Sequence, residues 1–114
     1  MDGVREYVIS ATLTGTSATV TSIDVVIGEL HAIFLDYVGV PATTVVTFTD
    51  SYGRTIFTAP AGNTDVTYYP RPVEHDLVGA AQTSRTKIGL ASYLTMAVTL
   101  SGAGTVVARV QVVR

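Results

Sequence analysis

The residues best suited to chemistry in this chain are two histidines, His31 and His75, and the acids beside the second. Glu74-His75-Asp76, preceded by Tyr68-Tyr69-Pro70-Arg71-Pro72, is the densest polar cluster. An imidazole between carboxylates can hold a metal or move a proton. Spacing argues against both here. Consecutive strand residues point to opposite faces, so Glu74 and His75 do not converge without a special turn. A zinc site needs three or four converging ligands, the chain has no cysteine, and His31 is the only other histidine. Nucleophilic catalysis fares no better, since there is no Gly-x-Ser-x-Gly elbow and neither Ser84 nor Ser92 has an evident base partner. Asp24, Asp36, Asp50 and Asp65 are scattered, and Asp50 and Asp65 suit turns better than a pair of hydrolytic acids. Gly102-Ala103-Gly104 lacks the Lys-Ser/Thr that completes a phosphate loop. The expectation is a protein with no catalytic centre, metal or cofactor. Tyr68, Tyr69, Arg71, His75 and Asp76 are read instead as a partner interface, because tyrosine and arginine are enriched where binding energy concentrates.

The elements that must position these residues are strands. Thr and Val occur 18 times each and Ile 6 times, so 42 of the 114 residues are β-branched and favour pleated over helical backbone. Gly and Pro fall between the runs. The reading places strands at 4–13, 18–27, 30–38, 43–49, 54–59 and 65–69, then at 87–90, 93–100 and 105–113. Gly28 ends the second, Asp50-Ser51-Tyr52-Gly53 turns the fourth back, and Pro60-Ala61-Gly62-Asn63 follows the fifth. Ser101-Gly102-Ala103-Gly104 reads as a hairpin turn between the last two. Residues 79–84 (GAAQTS) are too small and polar to pack a core and read as loop. Eight or nine short strands with turns every 8–12 residues predict one antiparallel β-sandwich domain over 1–114, jelly-roll-like.

Composition removes several classes. Net charge is −2 with 47% hydrophobic residues, which excludes a disordered chain. Seven basic residues, only one of them a lysine (Lys87), and a pI near 5.5 exclude an electrostatic nucleic-acid binder. No apolar run approaches the roughly 20 residues of a membrane helix, and 1–6 shows no leader pattern, so synthesis and assembly in the cytoplasm are expected. Charged residues are only 14%, against roughly 25% in an average domain. Alternation says where the missing charge went. Val106, Ala108, Val110 and Val112 share one face of the last strand, as do Leu94, Met96, Val98 and Leu100 in the strand before. The opposite faces carry Thr, Ala and Val with few charges, which are inexpensive to bury against a partner. A homo-oligomer is therefore expected.

The stretches Leu30-His31-Ala32-Ile33-Phe34-Leu35-Asp36-Tyr37, Pro41-Ala42-Thr43-Thr44-Val45-Val46-Thr47 and Asn63-Thr64-Asp65, then Tyr68-Tyr69-Pro70-Arg71 with His75-Asp76, and Tyr93-Leu94-Thr95-Met96 with Gly102-Ala103-Gly104, follow one another in a suggestive order. Over roughly 28–113 the chain resembles small all-β virion structural proteins of tailed bacteriophages. The resemblance implies a non-enzymatic decoration or cement protein that binds the major capsid protein or a neighbouring virion protein. It also implies a place on the virion, with no nucleic-acid or membrane partner. Threefold lattice positions favour a trimer. The alternative role is a head-fibre, tail or receptor- and carbohydrate-binding module, since tyrosines also stack on sugar rings.

Overall fold

A computed structural model describes residues 3–71, 73–75, 81–85 and 88–113 of the chain. Among them are eleven strands and no helix. They are β1 (Val4–Leu13), β2 (Ala18–Thr21), β3 (Val26–Val38), β4 (Val45–Thr49), β5 (Thr55–Ala59), β6 (Val66–Tyr68), β7 (Val73–His75), β8 (Ala81–Arg85), β9 (Gly89–Ser92), β10 (Thr95–Thr99) and β11 (Gly104–Val113). Every pairing is antiparallel. One sheet runs β1-β11-β3, with β6 and β9 both on the far side of β3. The second runs β2-β10-β4-β5, and β7 and β8 form a separate two-stranded ribbon.

The two strands beyond β3 are halves of one. Val66–Tyr68 pairs with Leu35 back to Ile33, and Gly89–Ser92 pairs with Glu29 back to Val26. Both therefore run the same way along the same side of β3. Between them the Leu30 N–H donates to Ile88 O at 2.7 Å, which continues the ladder. With β6 and β9 counted as one strand the sandwich has eight. In chain order its sheets read first-eighth-third-sixth and second-seventh-fourth-fifth, the arrangement of a jelly roll. The expected antiparallel jelly-roll sandwich is the observed fold.

Jelly-roll order sends most connections across the sandwich rather than back along it. Only β4 and β5 are joined as a hairpin between neighbours within the two large sheets. The expected hairpin at Ser101–Gly104 is instead an arch, because β10 lies in one sheet and β11 in the other. Leu100 starts the arch at φ 53° and is turned out of the core, 67% exposed, against the expectation that it faces inward with Met96 and Val98. Cross-chain bonds hold the arch: Ser101 N–H donates to Thr16 O at 3.0 Å and Thr43 Oγ1 donates to Leu100 O at 2.6 Å. The expected second strand is likewise cut at Ser22. This buried serine accepts the Leu94 N–H and donates to Asp24 O, and so turns the chain from one sheet to the other. Gly28, expected to break a strand, lies inside β3 at φ 136° opposite Leu90.

The core lies between the sheets. Ile9, Leu30, Ile33, Leu35, Val110 and Val112 from the first sheet meet Val46, Phe48, Met96 and Val98 from the second, all at 2% exposure or less. Each large side chain buried this way contributes about 1.5–3 kcal/mol. On the outer face of the second sheet Thr21, Thr95, Thr49 and Thr55 stand side by side, and Thr19, Ala97, Thr47 and Thr58 form the next row. The Thr-covered face read from alternation is therefore a real two-row array without a charge.

Gly104 ends the arch at φ 156°, where a Cβ would stand 2.5 Å from Val38 O and 2.8 Å from Val40 Cγ1. Gly104→Ala is expected to cost about 2–4 kcal/mol, through backbone strain and displacement of the β3 terminus. A urea melt checks this, and an unchanged midpoint would show that the arch is not constrained there.

Candidate partner-binding surface at the split edge strand

The sequence-predicted interface residues map to the break between β6 and β9. Tyr68 ends β6, is half-buried, and sets its ring 5.0 Å from that of Phe57, so it belongs largely to the sandwich. Tyr69 points outward at 60% exposure and meets the His31 ring edge-on at 5.8 Å. Arg71 is half-buried, and its Nη1 donates to Pro70 O at 2.8 Å, His31 O at 3.2 Å and Leu30 O at 3.4 Å. His75 sits in β7 opposite Ala81. Its side chain and Asp76 lie outside the described residues. Val73 pairs with Arg85, so part of the segment expected to be loop, residues 81–84, is strand β8 of a ribbon extruded from the middle of the edge strand. A ribbon needs backbone partners rather than apolar side chains, which is how small polar residues come to form it.

The geometry explains why Arg71 lies where it does. In the β3–β11 ladder Ala32 pairs with Gln111 and Leu30 with Val112, so His31 is an extra residue with no partner. Such a bulge bends the strand and frees backbone groups. Arg71 supplies donors to the carbonyls on either side of it. The bulge also changes strand parity. Leu30 faces the core, but beyond the bulge the inward residues are Ile33, Leu35 and Tyr37, while Phe34 is half-exposed. Strict alternation would put Leu30, Ala32 and Phe34 on one face, opposite His31. The adjacent apolar pair Ala32-Ile33 was the available signal, since a regular strand with one wet face rarely carries two apolar neighbours in mid-run.

Two acids expected in turns anchor the chain near this edge. Asp65 Oδ1 accepts the Tyr37 N–H at 2.9 Å and so leads β6 onto β3. Asp50 caps the β4–β5 hairpin, accepting the Tyr52 and Arg54 N–H groups at 2.9 Å each and the Arg54 Nε at 2.7 Å. Desolvation alone would raise the Asp50 pKa. The bonds from the Arg54 amide and guanidinium and from the Tyr52 amide outweigh it and hold the carboxyl below its usual range. Among the described residues no three His, Asp or Glu side chains gather as a metal site. An open groove of ≈ 590 Å³ runs beside β9, lined by Ile27, Gly28, Glu29, Gly89, Leu90, Ala91 and Val113. Its walls are mostly aliphatic and offer one carboxylate, so they supply contact area rather than reactive groups.

No protein-family model matches the chain. Among curated proteins the search finds no similar sequence. Among solved structures, the crystal structure of FLHE superposes with a TM-score of 0.49 at 13% identity, covering 96% of this chain and 97% of that one. A likeness of that degree says nothing about activity or partners.

Two measurements test this edge. Removing the guanidinium in Arg71→Ala leaves the bulge carbonyls short of donors and is expected to cost about 1–3 kcal/mol in a urea melt. Faster exchange of the Leu30 amide should accompany it, and unchanged exchange would show that Arg71 does not hold the bulge. Burial, with Tyr68 adding to it, pushes the Tyr37 phenol up to about 12. The unfolded phenol ionises near 10 and the folded one later. Stability from this group is therefore full below pH 10 and is lost as pH rises from 10 to 12. Tyr37→Phe should flatten that alkaline decline, and an identical decline in the variant would assign it elsewhere.

Proposed function

We propose that this chain is a non-enzymatic structural protein of a tailed-bacteriophage virion, a capsid decoration protein that binds the lattice of the major capsid protein as a homo-oligomer. It is assembled in the host cytoplasm and resides on the virion, and threefold lattice sites favour three copies. Fold alone does not fix function, since jelly rolls serve many roles. The observation that carries the reading is the ribbon of β7 and β8, extruded from the edge strand with Tyr69 exposed at its root. A sandwich with a two-stranded ribbon inserted in its edge strand suits a protein that must grip a surface larger than itself. The charge-free threonine face and the family resemblance support the same reading. Tyr69 is the contact, and Arg71 ties the chain to the bulge carbonyls where it leaves the edge strand.

Co-sedimentation of the purified protein with empty capsid shells is the test. Tyr69→Ala should weaken shell binding about tenfold or more, as loss of an aromatic anchor does, with little change in melting temperature. Arg71→Ala should weaken it as well. Wild-type protein that stays in the supernatant, or a Tyr69→Ala protein that binds as tightly as wild type, overturns the proposal. A specific hit on a glycan array without shell binding would replace it with the receptor-binding role.

A further inference from the structure

The four sheet edges are not equally protected. On the first sheet the edge beyond β3 is interrupted by the bulge, by Arg71 and by the ribbon. On the second sheet β2 has four residues, and β5 has five with a register shift. The remaining edge, β1, has ten residues paired to β11 from Val4 through Leu13 without a shift. It contains no Pro or Gly, and its charges, Arg5 and Glu6, sit near one end. Among the described residues its backbone bonds only to β11, so its other side presents a row of N–H and C=O groups. Such an edge is a template for another strand, and stable proteins usually cover it.

The geometry points to a second copy of this chain as that cover, with β1 pairing antiparallel to the partner's β1 across a twofold axis. Residues directly opposite share a face, so the centre of the pairing falls on a residue rather than between two. Centring on Val8 places this half-exposed valine against its own copy, Glu6 against Ser10, and the long Arg5 against the small Ala11. Centring on Glu6 would oppose two carboxylates. Beside the strand lies a cleft of ≈ 160 Å³ lined by Glu6, Tyr7, Val8, Ser22, Ile23 and Asp24, and Ile23 there is 90% exposed. A docked copy would cover it. Area favours this flank too. Ten residues at 3.4 Å across a sandwich about 20 Å thick give about 700 Å², near the roughly 800 Å² per partner of a stable interface. The threonine face of the second sheet offers only about 300 Å² by the same measure. This inference goes beyond the decoration role by naming the copy-to-copy contact. It replaces three single copies at a threefold site with an even-numbered particle: a dimer, or a hexamer in which three dimers meet.

Light scattering at 10–200 μM and thiol trapping, both on the full chain, test it. Val8→Lys, on an exposed face, would set two ammonium groups opposite each other and should halve the mass while leaving the circular dichroism unchanged. The chain has no cysteine, so Val8→Cys reports one contact. Mild oxidation should convert most of it to a covalent dimer, while Thr99→Cys on the other sheet should not cross-link. A monomeric wild type, a three-copy mass, or Val8→Cys cross-linking no faster than Thr99→Cys overturns the pairing. Shell co-sedimentation is read separately, so failure of the twofold contact and failure of the decoration role are distinguishable.

Discussion

The sandwich depends on one docking event, the insertion of β11 between β1 and β3. Ten pairs join it to one side and nine to the other, and its inward residues Val106, Ala108, Val110 and Val112 are fully buried. β1 opens the chain and β11 closes it, so the partners are separated by about a hundred residues. Contacts of such long sequence separation make folding slow, because loop-closure entropy is spent before the contacts form. Until β11 arrives, β1 has no ladder partner and the face of β3 toward it is unpaired. Side-chain bonds such as Thr43 to Leu100 O and Thr44 to Ser101 tie the β3–β4 and β10–β11 arches together next to the start of β11.

Polar groups set the shape where apolar packing does not. Ser22, Thr44, Asp50 and Ser101 are buried and each is hydrogen-bonded at a corner or turn. Arg71 does the same at the bulge. In each case a short side chain or a guanidinium replaces a backbone partner that the ladder has lost, because a buried unpaired group costs more than a bond gains. With few charges available, this chain uses at least three of them, Asp50, Asp65 and Arg71, on its own backbone.

Strand identity was legible because the side chains that form strands also alternate. β1 is legible at 4–13, where it lies, and so is the inward set of β11, residue by residue. Sheet membership was not legible. Ser101-Gly102-Ala103-Gly104 encodes a reversal of the chain, but composition does not say whether the returning strand joins the same sheet or the facing one. Long-range pairing decides that, and it also explains why Leu100 points out. The bulge at His31 escaped because both faces of β3 are apolar around it, which blurs the parity signal. At the edge, the sequence offers Tyr68 and Tyr69 either as joint anchors or as neighbours alternating between core and surface. The fold separates them, because neighbours on a strand face opposite ways. The role of Arg71 toward carbonyls 40 and 41 residues earlier leaves no local trace in the sequence.

The split edge strand has a consequence for how such a chain can vary. Because Val66–Tyr68 and Gly89–Ser92 hold the same rail of β3, the segment between Arg71 and Ile88 can lengthen, shorten or change composition without shifting any register in the sandwich. Lengthening a loop adds little closure entropy, so the change is nearly neutral for stability. The scaffold and the arm are thus separable modules. One chain architecture can carry insertions of different length at this point, while the eight-stranded body stays as it is.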